Sequence, residues 1–83
     1  MAVSFALEVL NQTVQQEMVD YIELCAEYDR YSAYARHNPA VTAQKTRTET
    51  ILEVRNLIAR LEDEETHTFE DYEVRVSEEM ANA

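Results

Sequence analysis

Apolar residues recur at Val3, Leu7, Leu10, Val14, Met18, Tyr21, Cys25 and Tyr28, in steps of three and four. That rhythm averages close to 3.6 residues and predicts an amphipathic helix from about Ser4 to Arg36. Ser4 suits the N-cap, although no acid occupies the capping-box position. At 1.5 Å per residue such a helix is about 50 Å long. The pattern breaks at His37-Asn38-Pro39. Proline excludes the α region for the residue before it and fits the first helical position, where its missing N–H is not needed. A second helix is therefore predicted from Pro39 to about Glu62, capped by Asn38 and roughly 36 Å long. Its apolar stripe reads Ala40, Ala43, Ile51, Val54, Leu57, Ile58 and Leu61.

So short a break joins the two helices most simply as an antiparallel hairpin. In that arrangement small Ala40 and Ala43 face bulky Tyr28 and Tyr31. Asp63 to Thr68 is polar and reads as a loop. Beyond it, Phe69, Tyr72, Val76 and Met80 share one helical face, with Thr68 and Asp71 placed as a capping-box-like pair. Glu70 and Asp71 also suit the positive end of the helix dipole. The competing strand pattern, Tyr72, Val74 and Val76, has no partner strand in this chain. The expected fold is all-α: a long antiparallel hairpin over about 4–36 and 39–62, plus a short acidic helix over about 69–81. These elements pack as a small bundle or an oligomer.

Composition supports few, long elements. The chain has no glycine and a single proline, where average usage supplies about 7% glycine. Tight turns with positive φ draw on glycine, so its absence argues for few of them. At 83 residues the chain is one domain, 1–83, near the lower limit for a self-sufficient core. One cysteine excludes an internal disulfide and fits a reducing compartment. No apolar run exceeds three residues, so neither a membrane span nor a secretory leader is expected. The expected setting is the cytoplasm of a cell or of an infected host cell.

The net charge of −10 is unevenly spread. Residues 62–83 hold nine acids and one arginine, whereas residues 1–61 hold eight acids and six Lys/Arg. An acidic surface repels phosphate backbones and anionic lipid, so direct nucleic-acid and membrane-surface binding are not expected.

Candidate chemistry is sparse. Glu64-x-x-His67 has the spacing of a di-iron half-motif, but such sites need a second copy and further carboxylates in a core. Cys25 sits on the apolar stripe among Tyr21, Ile22, Tyr28 and Asp29, with no base to activate it. The run Glu62 to Glu65 has no apolar interruption to create the unlike environments that acid–base catalysis requires. No catalytic, cofactor or metal site is therefore expected, and no motif assigns the chain to a family.

What remains are surfaces. Phe5 and Val9 form an i,i+4 pair on the back of the first helix, with Val19 also on that side, and fit contact with another subunit. Arg30 and Tyr34, residue types common at binding hot spots, share a face near the hairpin tip. The acids Glu62, Asp63, Glu64, Glu65, Glu70, Asp71 and Glu73, with Glu78 and Glu79, form either a solubilising face or a phosphate mimic. Two functions follow as expectations. One is a non-enzymatic, self-associating helical interaction protein, serving as an assembly or adaptor component or as an inhibitor of a partner protein. The other is an acidic decoy, anti-restriction or anti-CRISPR-like, occupying the basic groove of a nucleic-acid-binding protein.

Overall fold

The structure is a computed structural model, and it describes residues 4–29 and 38–83. Three helices follow in order: α1 (Phe5–Asp29), α2 (Pro39–Leu61) and α3 (Phe69–Ala81). The strand alternative for the last segment is thereby excluded. The predicted continuation of α1 to Arg36, and the place of Tyr31, lie outside the described residues. No helix among the described residues is long and apolar enough to cross a membrane.

Each helix start is fixed by the residue expected there. The Ser4 hydroxyl accepts from the Leu7 amide at 3.1 Å and donates to Glu62 Oε2 at 2.8 Å, joining the start of α1 to the end of α2. Asn38 has extended backbone and accepts from the Ala40 amide at 2.8 Å, with Pro39 at the first helical position. Thr68 and Asp71 close a full capping box: the Asp71 amide donates to Thr68 Oγ1 at 3.1 Å, and the Thr68 amide donates to Asp71 Oδ2 at 3.2 Å.

The end of α2 shows how a chain without glycine closes a helix. Asp63 takes up φ 55°, the left-handed conformation. Its amide reaches Arg60 O at 3.3 Å and the Glu64 amide reaches Ala59 O at 2.7 Å, the bond pair of a Schellman motif. Aspartate tolerates this region better than most residues but still carries a Cβ into it.

α1 and α2 pack as an antiparallel hairpin, shown by partners that run in opposite directions: Ser4 with Glu62, Asn11 with Arg55, Glu17 with Thr48 and Gln44. α1 buries the predicted face, Leu7, Val14, Met18, Tyr21 and Cys25. α3 lies across α1 and buries Phe69, Tyr72 and Val76, with Met80 packed at the edge of the core. Phe69 meets Tyr21 edge-on, centroids 5.3 Å apart, and Lys45 Nζ stands 5.4 Å from the Phe69 ring.

The inward face of α2 is not the predicted one. The buried residues are Val41, Thr48, Leu52, Arg55 and Ala59. Ala40, Ala43, Val54, Leu57 and Leu61 are exposed, and Ile51 and Ile58 are half-buried. Two physical reasons account for the correction. First, α1 already supplies bulk with Leu7, Met18 and Tyr21, so small Thr48 and Ala59, both fully buried, let the helices approach closely. Second, the polar residues on that face are satisfied. Thr48 Oγ1 donates to Gln44 O at 2.8 Å, and Arg55 donates through Nε and Nη1 in the hydrogen bonds described next, so neither side chain is buried without partners.

Candidate interaction surfaces

The outward face of α2 gains its meaning from that correction. Ala40, Ala43, Arg47, Thr50, Val54, Leu57 and Leu61 follow one another in strict alternation of three and four residues. This is a 3.5-residue heptad repeat with Ala40, Arg47, Val54 and Leu61 at a positions and Ala43, Thr50 and Leu57 at d positions. The seam is apolar in its C-terminal half, where Val54, Leu57 and Leu61 are 46%, 52% and 75% exposed. In its N-terminal half Arg47 is tied down by Glu17, with Nε 3.0 Å from Oε1. Gln44 also donates to the Glu17 carboxylate at 2.7 Å. These contacts, led by Gln44, hold the Glu17 carboxyl below the usual carboxylate range. Glu53 and Arg60 flank the apolar half on one side of the seam, and Ile51 and Ile58 flank it on the other.

Phe5 and Val9 are exposed on α1, Phe5 at 80%. Val19, by contrast, packs against the core. Arg30 and Tyr34 lie outside the described residues.

The acidic segment divides by role. Glu62 accepts from Ser4, Asp71 closes the α3 cap, and Glu79 Oε2 accepts from Gln15 Nε2 at 3.0 Å. The capping bonds from Thr68 hold the Asp71 carboxyl below the ordinary aspartate value. Asp63, Glu65, Glu70 and Glu78 present exposed side chains, whereas Glu64 and Glu73 are half-buried.

A second feature was not foreseen from the sequence. Arg55 is buried at 4% exposure and ties three parts of the fold together. Its Nε donates to Asn11 Oδ1 at 2.7 Å, and its Nη1 donates to Asn56 Oδ1 at 3.0 Å and to the Glu65 carbonyl at 2.6 Å. Tyr72 Oη donates to the same Asn11 oxygen at 3.4 Å. Asn56 in turn holds the loop backbone at His67 in both directions, donating to its carbonyl at 2.7 Å and accepting from its amide at 3.1 Å. Beside this network α1, α2 and α3 enclose an open cavity of about 310 Å³. The His67 ring stands edge-on to Tyr72. Burial first, then the charge of Arg55 and Arg75, hold its pKa below the ordinary imidazole value against the opposing pull of Glu65. The one sequence signal for this network was a cationic residue, Arg55, in register with Val41, Thr48, Leu52 and Ala59.

Cys25 is buried within the core, and among the described residues no three His, Cys, Asp or Glu side chains come together as metal ligands. The chain matches no protein-family model, no curated protein and no solved structure.

Proposed function

We propose that the protein is a non-enzymatic interaction module that self-associates through the outward face of α2, as the unit of a small assembly or adaptor. The observation that carries this reading is the exposed heptad seam ending in Val54, Leu57 and Leu61. A face of this regularity, left in water on the side of α2 turned away from α1, is the pattern of a helix that expects a second helix.

A second copy of the chain fits the seam best in antiparallel orientation. A two-fold axis between Val54 and Leu57 sets Val54 of each copy against Leu57 of the other, and Leu61 against Thr50. The same axis brings Glu53 of each copy beside Arg60 of the other, opposite charges on the flank of the seam. A parallel pairing would instead stack Arg47 on Arg47. The acidic decoy reading has less support, because Glu62, Asp71 and Glu79 are engaged within the fold.

Light scattering coupled to size exclusion tests the proposal. The expected result is a dimer at tens of micromolar and a monomer for Leu57→Glu, whose side chain is half in water and whose folding should change by no more than about 0.5 kcal/mol. A monomeric wild-type protein across that range would overturn it.

A further inference from the structure

The cavity at the meeting point of the three helices has an unusual electrostatic character for so acidic a chain. Two of its seven Lys/Arg residues, Arg55 from α2 and Arg75 from α3, line it together with His67, Tyr72, Gln15 and Glu79, and Asn11 closes its wall. Arg55 is buried, yet among the described residues it has no carboxylate within ion-pair distance. Its acceptors are the neutral oxygens of Asn11, Asn56 and the Glu65 backbone. Those bonds use Nε and Nη1; Nη2 donates to no described residue. Arg75 is likewise without an ion-pair partner among the described residues, and its guanidinium carbon stands over the Tyr72 ring, 4.4 Å from the centroid. A guanidinium held over an aromatic face by cation–π attraction spends no N–H on an acceptor there and can still donate to a ligand.

We infer that this cavity is a binding site for a small molecule bearing a single oxyanion group, held between the guanidinium groups of Arg55 and Arg75. A buried cation surrounded only by neutral acceptors leaves positive potential in the space it faces, and a planar guanidinium fork matches carboxylate and phosphate oxygens. The lining carries two arginine charges and the Glu79 carboxylate, with His67 biased toward its neutral form. That balance suits one negative charge better than two. Glu79 is turned toward Gln15, whose amide it accepts from at 3.0 Å. A volume of about 310 Å³ sits at the small end of ligand sites and fits a small organic acid or a phosphate.

The test uses the full chain with acetate, inorganic phosphate and chloride at matched ionic strength. NMR follows the arginine Nε–Hε signals and the ring signals of His67 and Tyr72. The expected result is a saturable shift at Arg55, Arg75, His67 and Tyr72 with acetate or phosphate and none with chloride. Saturation by acetate identifies a carboxylate site, and saturation by phosphate a phosphate site. Arg75→Gln, at an exposed position, should weaken the response at least tenfold while the fold persists. Shifts identical in chloride, or unchanged in Arg75→Gln, would overturn the inference. Because the cavity is built from one chain, the response should persist in monomeric Leu57→Glu. Failure of the dimer therefore leaves this test intact.

Discussion

Arg55 binds Glu65 through that residue's backbone carbonyl, at 2.6 Å, and not through its carboxylate. The acidic side chain therefore adds nothing direct to the buried network, whereas the guanidinium is central to it. Arg55→Met should destabilise the fold by about 2–4 kcal/mol, because Asn11, Asn56 and the Glu65 carbonyl each lose a buried donor. Glu65→Gln should stay within about 0.5 kcal/mol of wild type. Urea unfolding of the two variants distinguishes these outcomes. Equal losses would show that the carboxylate, not the carbonyl, matters.

Asp63 occupies the left-handed position that glycine usually fills where a helix ends in a Schellman motif. Asp63→Gly should stabilise the protein by about 0.5–1 kcal/mol, removing both the left-handed strain of a Cβ and a negative charge at the negative end of the α2 dipole. Asp63→Val should destabilise, since a β-branched residue resists positive φ most strongly. Thermal melts of the pair check the sign of each change. A melting temperature lowered by glycine would refute the argument.

Three titrating groups, His67, Glu17 and Asp71, set the acid limit of stability. The His67 pKa is depressed by burial and by Arg55, so the folded state disfavours the imidazolium. Its contribution is fully present above the ordinary value of 6.5 and is lost as pH falls below it, until the folded-state pKa is reached. Glu17, depressed chiefly by its bond from Gln44, and Asp71, depressed by its capping bonds, contribute stability above their ordinary values of 4.5 and 3.8 and lose it as pH falls further. Unfolding followed from pH 8 to pH 3 should therefore decline in two stages. His67→Gln should remove the upper stage, and Asp71→Asn should shrink the lower one to the share that Glu17 contributes.

Much of the fold is written in local sequence signals. Ser4, Asn38-Pro39 and Thr68 with Asp71 mark the helix starts because a side-chain oxygen two or three residues before an orphan amide is a local requirement. The α1 face is equally plain, since its apolar stripe runs the length of the helix whereas the rival face offers only Phe5, Val9 and Val19. α2 offers two faces, and counting apolar bulk favours the one with Val54, Leu57 and Leu61. The structure buries Thr48 and Arg55 instead, because what decides is fit against α1 and the availability of acceptors on Asn11, Asn56 and a loop carbonyl. Those partners lie 44 positions before Arg55, one position after it and ten after it, and no periodicity connects them. The cavity beside them is invisible for the same reason. It exists only once α3 has folded back over α1.

The orientation of the proposed α2 pairing leaves a charge signature. In the antiparallel arrangement Glu53 meets Arg60 of the second copy twice, once on each side of the two-fold axis. Glu53→Arg alone or Arg60→Glu alone sets like charges together and should weaken dimerisation by about 0.5–1 kcal/mol per pair, more at low salt. The double variant Glu53→Arg with Arg60→Glu restores opposite charges and should recover most of the wild-type affinity. A parallel pairing, or contact through Phe5 and Val9, predicts no such recovery. Sedimentation equilibrium of the four proteins at two salt concentrations measures the coupling directly, and a coupling energy of zero would leave the seam without its antiparallel partner.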